Sequence, residues 1–140
     1  MNPGLDRARD ELVAAQLLID NDLFAQAVSC AFQAARHAAE AALLVLGEAR
    51  SEPAQVVPAV VQLLVRDRGL DPRAGRLLRS LSNRCRYADH SYGPVPPAEA
   101  TTAAKDATVV VELLTAWLGE QLPGRRDGPR SPGRPVRRRR

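Results

Sequence analysis

The chain has 140 residues, a formal charge of +4 and 45% apolar side chains, mostly alanine, leucine and valine, with only 4% aromatics. That length supports one hydrophobic core and a tail rather than two domains, and alanine and leucine head the helix-propensity scale, so an all-α domain is expected. Residues 123–140 carry eight arginines against Asp127, a balance of +7 that leaves residues 1–122 at −3 and excludes a broadly basic nucleic-acid-binding body.

The first helix is expected over about residues 5–19. Leu12, Ala15, Leu18 and Ile19 recur there at three- and four-residue intervals, with Arg7, Asp10, Glu11 and Gln16 on other sides. Asp20-Asn21-Asp22 breaks the pattern and offers an N-cap for the next helix. The second helix, about residues 23–46, is expected to stop at Gly47. Its stripe of Phe24, Val28, Ala31, Ala35, Ala38, Ala42 and Val45 consists mostly of small residues. Small side chains let a partner helix approach closely, so this is the expected central helix of a bundle. Ser29, Gln33, Arg36 and Glu40 form a polar stripe beside it, bordered by His37.

A shorter third helix is expected over about residues 57–68, with Pro53 and Pro58 in its approach or first turn and Gly69 as its stop. Asp71-Pro72 reads as N-cap and first helical residue of a fourth helix. Its core face is Ala74, Leu77, Leu78, Leu81, Cys85 and Ala88, while Arg79, Asn83, Arg86 and His90 form a continuous polar stripe. Gly93 and the prolines at 94, 96 and 97 end it. A fifth helix, about residues 98–122, buries Ala103, Val109, Val110, Leu113, Leu114 and Leu118, with Trp117 near its end. The body is therefore 1–122, and the Arg-, Pro- and Gly-rich segment 123–140 lacks apolar periodicity and is expected to be disordered.

The charged N-terminus lacks the apolar core of a signal peptide, and every apolar stretch meets a charge before reaching membrane-spanning length. A cytoplasmic protein with no membrane segment is expected. Cys30 and Cys85 do not make a disulfide framework. Nor do Cys30, His37, Cys85 and His90 make a zinc site, because Cys30 and His37 lie about 10 Å apart along one helix. No metal or cofactor is expected. Nineteen of the twenty basic residues are arginine, with Lys105 the exception, which fits a high-GC coding sequence more simply than selection for phosphate binding.

The second helix reads S29-C-A-F-Q-A-A-R-H-A-A-E-A-A-L-L44. This resembles the signature helix of the HEPN superfamily, with Ser29, Ala31, Phe32, Ala34, His37, Ala38, Ala41, Leu43 and Leu44 in register. The preceding A-x-L-L-x-x-N-D-L-F-A-Q-A and the downstream Leu77-Leu78-x-x-Leu81 followed by Ala88-Asp89 are similar to the family in order and spacing, over roughly residues 5–122. The resemblance implies a four- to five-helix up-and-down bundle that usually dimerises, hence a homodimer.

It also implies one of two functional types. The first is a metal-independent ribonuclease, often a toxin neutralised by a nucleotidyltransferase antitoxin encoded beside it. Arg84 and His90, separated by five residues, would then be the catalytic pair, with Asn83 and Arg86 orienting RNA phosphates. His90-Ser91-Tyr92 resembles the His-x-Tyr of some of these toxins, which would make Tyr92 the modification site. The chemistry is coherent: a base takes the 2′-hydroxyl proton and a guanidinium stabilises the phosphorane. The second type has lost catalysis and binds a nucleotide or a protein partner. In register with the family's Arg-x-x-Ala-Asp-Tyr, the arginine position falls on Cys85 and the tyrosine on His90. The residue-level alternative is that His90 caps the helix C-terminus, where an imidazolium is favourable, while the arginines are solvated.

Overall fold

The computed structural model describes residues 2–91 and 93–121. The 123–140 segment and Tyr92 lie outside them. Helix α1 spans Pro3–Asp20, two residues earlier than periodicity alone indicates. The reason is local: the Asn2 side chain accepts from the Gly4 and Leu5 amides at 3.0 and 3.2 Å, and Pro3 occupies the first helical position, where its missing N–H costs nothing. Gly4 permits close contact with the second helix, since a Cβ there would stand 2.7 Å from the Ala41 Cβ.

The junction after α1 corrects the expected capping role of Asp20-Asn21-Asp22. Asp22 adopts φ 61°. The Leu23 amide donates to the Leu18 carbonyl at 2.8 Å and the Asp22 amide to that of Ile19 at 3.0 Å. This is a Schellman closure of α1, so the segment ends one helix rather than opening the next. Helix α2, Phe24–Val45, starts after Leu23 with no side-chain cap.

The stop of α2 follows the sequence. Gly47 takes φ 75°, Glu48 N–H donates to the Leu43 carbonyl at 2.8 Å and Gly47 N–H to that of Leu44 at 3.0 Å. An L-residue is strained in that conformation. Gly47→Ala is therefore expected to lower unfolding free energy by about 1 kcal/mol, measured by urea denaturation.

The third region is less regular than expected. A 3-10 turn at Pro53–Gln55 leads into one α-turn, α3, Val56–Ala59, and the chain then widens into π-helical turns over Val60–Arg66. Val56, Val60 and Leu64 are fully buried by it. The Trp117 indole donates to the Arg68 carbonyl at 3.1 Å, satisfying an acceptor at the C-terminal end of this region.

Helix α4 spans Pro72–Ser91, with Asp71 accepting from the Arg73 amide at 2.9 Å as its N-cap. Helix α5 spans Pro97–Gln121. Among the described residues there are no strands. Helix α2 packs on α1, α4 and α5, and α5 also touches α1 and α4. Helices α1 and α4 thus flank the α2–α5 pair from either side.

Being central, α2 buries more than one stripe. Ala27, Ala34, Ala39, Ala41 and Leu43 join Val28, Ala31, Ala35, Ala38 and Ala42, whereas Phe24 is only half-buried and Val45 is exposed. The alanines let α2 approach α5 closely, and α5 buries Ala100, Ala103, Ala107 and Val110 in the same core.

Candidate functional site

Helix α4 presents its chemistry outward because Ala74, Leu78, Leu81 and Cys85 turn inward. The opposite stripe of Arg79, Asn83, Arg86 and His90 is exposed, as expected. The Arg86 guanidinium donates to Asn83 Oδ1 at 3.3 Å, one turn away. Among the described residues, Arg79, Arg86 and His90 have no carboxylate at ion-pairing distance. His90 lies in the last turn of α4, at the negative end of the helix dipole. Tyr87, next to the stripe, is 72% exposed, and periodicity had given no reason to single it out.

Arg84 does not join this group. Its Nη1 meets Glu99 Oε2 at 2.6 Å in the first turn of α5, and its Nε is buried without a hydrogen-bond partner among the described residues. Six positions along a helix rotate by about 600°, so Arg84 and His90 point about 120° apart. Because α4 is continuous through Ser91, no fraying before His90 brings the two together within one chain.

Cys85, where the family register expects arginine, sits in a small polar seam between α2 and α4. Ser29 Oγ donates to Asp89 Oδ1 at 2.9 Å, and the Cys85 sulfur lies 3.8 Å from Ser29 Oγ and 3.7 Å from Asp89 Oδ2. Burial pushes the Cys85 thiol up. The hydrogen-bond contact with Ser29 opposes this, the Asp89 carboxylate adds to it and Arg36 opposes it. A cysteine carries no positive charge in either protonation state, so Cys85 is not a substitute for the arginine. Asp89 is held by Ser29 and, among the described residues, has no arginine at ion-pairing distance.

A second seam, between α1 and α2, was not legible in the sequence. His37 Nδ1 lies 2.7 Å from Glu11 Oε1, Arg7 Nε lies 3.4 Å from Glu11 Oε2, and the Cys30 thiol donates to the Glu11 carbonyl at 3.3 Å. His37 thus ties the two helices together. Burial, then the Glu11 charge, raises the Cys30 thiol. Farther along α2, Arg36 pairs with Glu40 at 2.6 Å and bonds Gln33. No signal along the chain marks contacts such as Glu11–His37, because their spacing is set by how two helices pack.

Among the described residues no group of three or more His, Cys, Asp or Glu side chains can hold a metal ion, and no helix is long and apolar enough to cross a membrane. The crystal structure of TT1696 from Thermus thermophilus is similar to this chain with a TM-score of 0.69 and 23% identity, covering 84% of this chain and 99% of that one. That similarity concerns the fold alone. No curated protein matches the sequence significantly. The HEPN domain family model matches residues 4–117, nearly the whole helical body, and the chain belongs to the HEPN domain family.

Proposed function

We propose that this chain is a non-catalytic HEPN module that binds a phosphate-bearing partner across the outer face of α4. The observation that carries this reading is the Arg84–Glu99 ion pair. A guanidinium neutralised by a carboxylate and turned away from His90 does not supply the cation that a developing phosphorane requires. Arg79, Asn83 and Arg86 keep donors directed to solvent and suit phosphate oxygens. The exposed Tyr87 ring beside them suits stacking against a base.

The ribonuclease alternative is favoured by one observation, the R-x(5)-H-x-Y spacing from Arg84 to Tyr92. In that reading the protein is a metal-independent endoribonuclease toxin, Arg84 of one chain faces His90 of a second, and a nucleotidyltransferase antitoxin modifies Tyr92. It requires Arg84 to leave Glu99.

Incubating the purified protein with RNA in EDTA separates the two. The expected result is that the RNA is bound and remains intact, both for the natural chain and for Glu99→Gln, which frees Arg84. Cleavage that disappears in a folded His90→Ala variant would overturn the non-catalytic reading.

A further inference from the structure

A groove of about 600 Å³ runs between α1 and α5, with no α4 residue in its wall, lined by Leu12, Val13, Val111, Thr115 and Ala116 among others. Val13 and Leu17, one turn apart on α1, are 61% and 57% exposed. Two apolar side chains this exposed beside an apolar groove form a contiguous patch rather than scattered surface residues. Arg9 and Glu112 are the charged residues in the wall. Arg9 is already paired with Asp6, at 3.6 Å, whereas Glu112 has no ion pair among the described residues.

The chain leaves the bundle at one end of this groove. Helix α5 forms one wall of it and ends at Gln121, five positions beyond Ala116. From Gln121 back to Glu112 is about 14 Å along the helix. Pro123-Gly124 is a turn-forming pair that lets the chain reverse direction. Pro129 lies eight positions past Gln121, an extended reach of about 25 Å, which covers both the reversal and the return.

The sequence beyond that turn also matches the groove in pattern and charge. Pro129, Pro132 and Pro135 recur every third residue. Three residues make one turn of the polyproline II helix, so these rings share one edge of it, an apolar stripe about 19 Å long. Such a helix has no internal hydrogen bonds and needs no apolar pattern of α-helical period. Arg130 and Arg134 fall on its other edges. Residues 123–140 carry +7 against −3 on the body, so the two attract. The α4 stripe, with Arg79 and Arg86, repels the same arginines.

We propose that residues 122–140 fold back onto their own body and lay the Pro129–Pro135 stripe in the α1–α5 groove, against Val13 and Leu17, with a neighbouring arginine facing Glu112. The segment then covers the apolar patch and holds part of its own positive charge against the body, away from anions in solution.

Trypsin digestion of the full chain tests this, with cleavage between Arg130 and Ser131 followed by mass spectrometry. Where opening is fast, cleavage tracks the population of the undocked segment. The natural protein is expected to be cut there at least about tenfold more slowly than a Val13→Gln, Leu17→Gln double variant. Both substitutions are at surface positions, so the circular-dichroism spectrum is expected to be unchanged. Glu112→Gln is expected to speed cleavage about threefold, the effect of one exposed ion pair. Tyr87→Glu on α4 is expected to leave the rate alone, and the protection is expected not to vary with protein concentration. Equal rates in the natural protein and the double variant, or release by Tyr87→Glu, overturn the proposal. Protection that grows with concentration also overturns it, giving the groove to another molecule. No α4 residue takes part and the digestion contains no RNA, so its outcome is separate from that of the phosphate-binding reading.

Discussion

Reversing two charges on α4, Arg79→Glu with Arg86→Glu, is expected to weaken binding of a single-stranded RNA oligonucleotide by on the order of 100-fold, read by fluorescence anisotropy. Each lost phosphate contact is worth roughly a tenfold change, about 1.4 kcal/mol, and reversal adds repulsion to that loss. The salt dependence gives a second readout. For single strands the slope of log K against log salt is about −0.7 per neutralised phosphate, so two contacts removed should flatten it by about 1.4. Both arginines are exposed and, among the described residues, Arg86 is bonded only to Asn83, so the thermal melt should barely move. Any contribution from the eight arginines of residues 123–140 is common to the natural and altered proteins. An unchanged affinity and slope would place all RNA contact on that segment and remove α4 from the binding surface.

Leu81→Ala is expected to cost about 2–5 kcal/mol of unfolding free energy, measured by urea or thermal denaturation. Leu81 is completely buried on the inner side of α4, two residues before Asn83 on its outer side. Removing its side chain forfeits apolar burial and leaves a cavity. Helix α2, which packs on α4, buries mostly alanine, so few long side chains there can swing in to fill that cavity. Against a total stability of about 5–15 kcal/mol typical of domains this size, that is a large fraction. A cost below about 1 kcal/mol would mean that α4 packs less tightly on α2 and α5 than their contacts indicate.

Much of this architecture was legible along the chain because it depends on neighbours within one turn. Gly47 ends α2, and Asp71-Pro72 opens α4, through hydrogen bonds spanning five residues or fewer. The inward Leu78, Leu81 and Cys85 and the outward Asn83, Arg86 and His90 follow from the 3.6-residue period. Where two local signals competed, sequence reasoning chose the wrong one. Asp20-Asn21-Asp22 has the composition of an N-cap, but Asp22 takes a left-handed conformation that closes α1. Asparagine and aspartate serve both roles, and the direction in which α2 leaves the turn selects between them. The π-helical turns after Pro58 likewise have no apolar periodicity that distinguishes them from an ordinary helix.

The exposed stripe from Arg79 to His90 is a property of the sequence alone, since a helical repeat places those side chains together whatever surrounds them. What Arg84 does is a property of the tertiary structure. Its partner Glu99 lies beyond a proline-rich turn, and the pair exists only because α5 returns alongside α4 with its first turn at that level. The same holds for Ser29 with Asp89, sixty positions apart, and for His37 with Glu11, twenty-six apart. Helical periodicity determines which face a side chain takes, but the rotation and axial offset of one helix against another determine which charge it meets there. Those offsets are set by the fit of the alanine-rich α2 surface against its neighbours, a sum of many small contacts that no single stretch of the chain records.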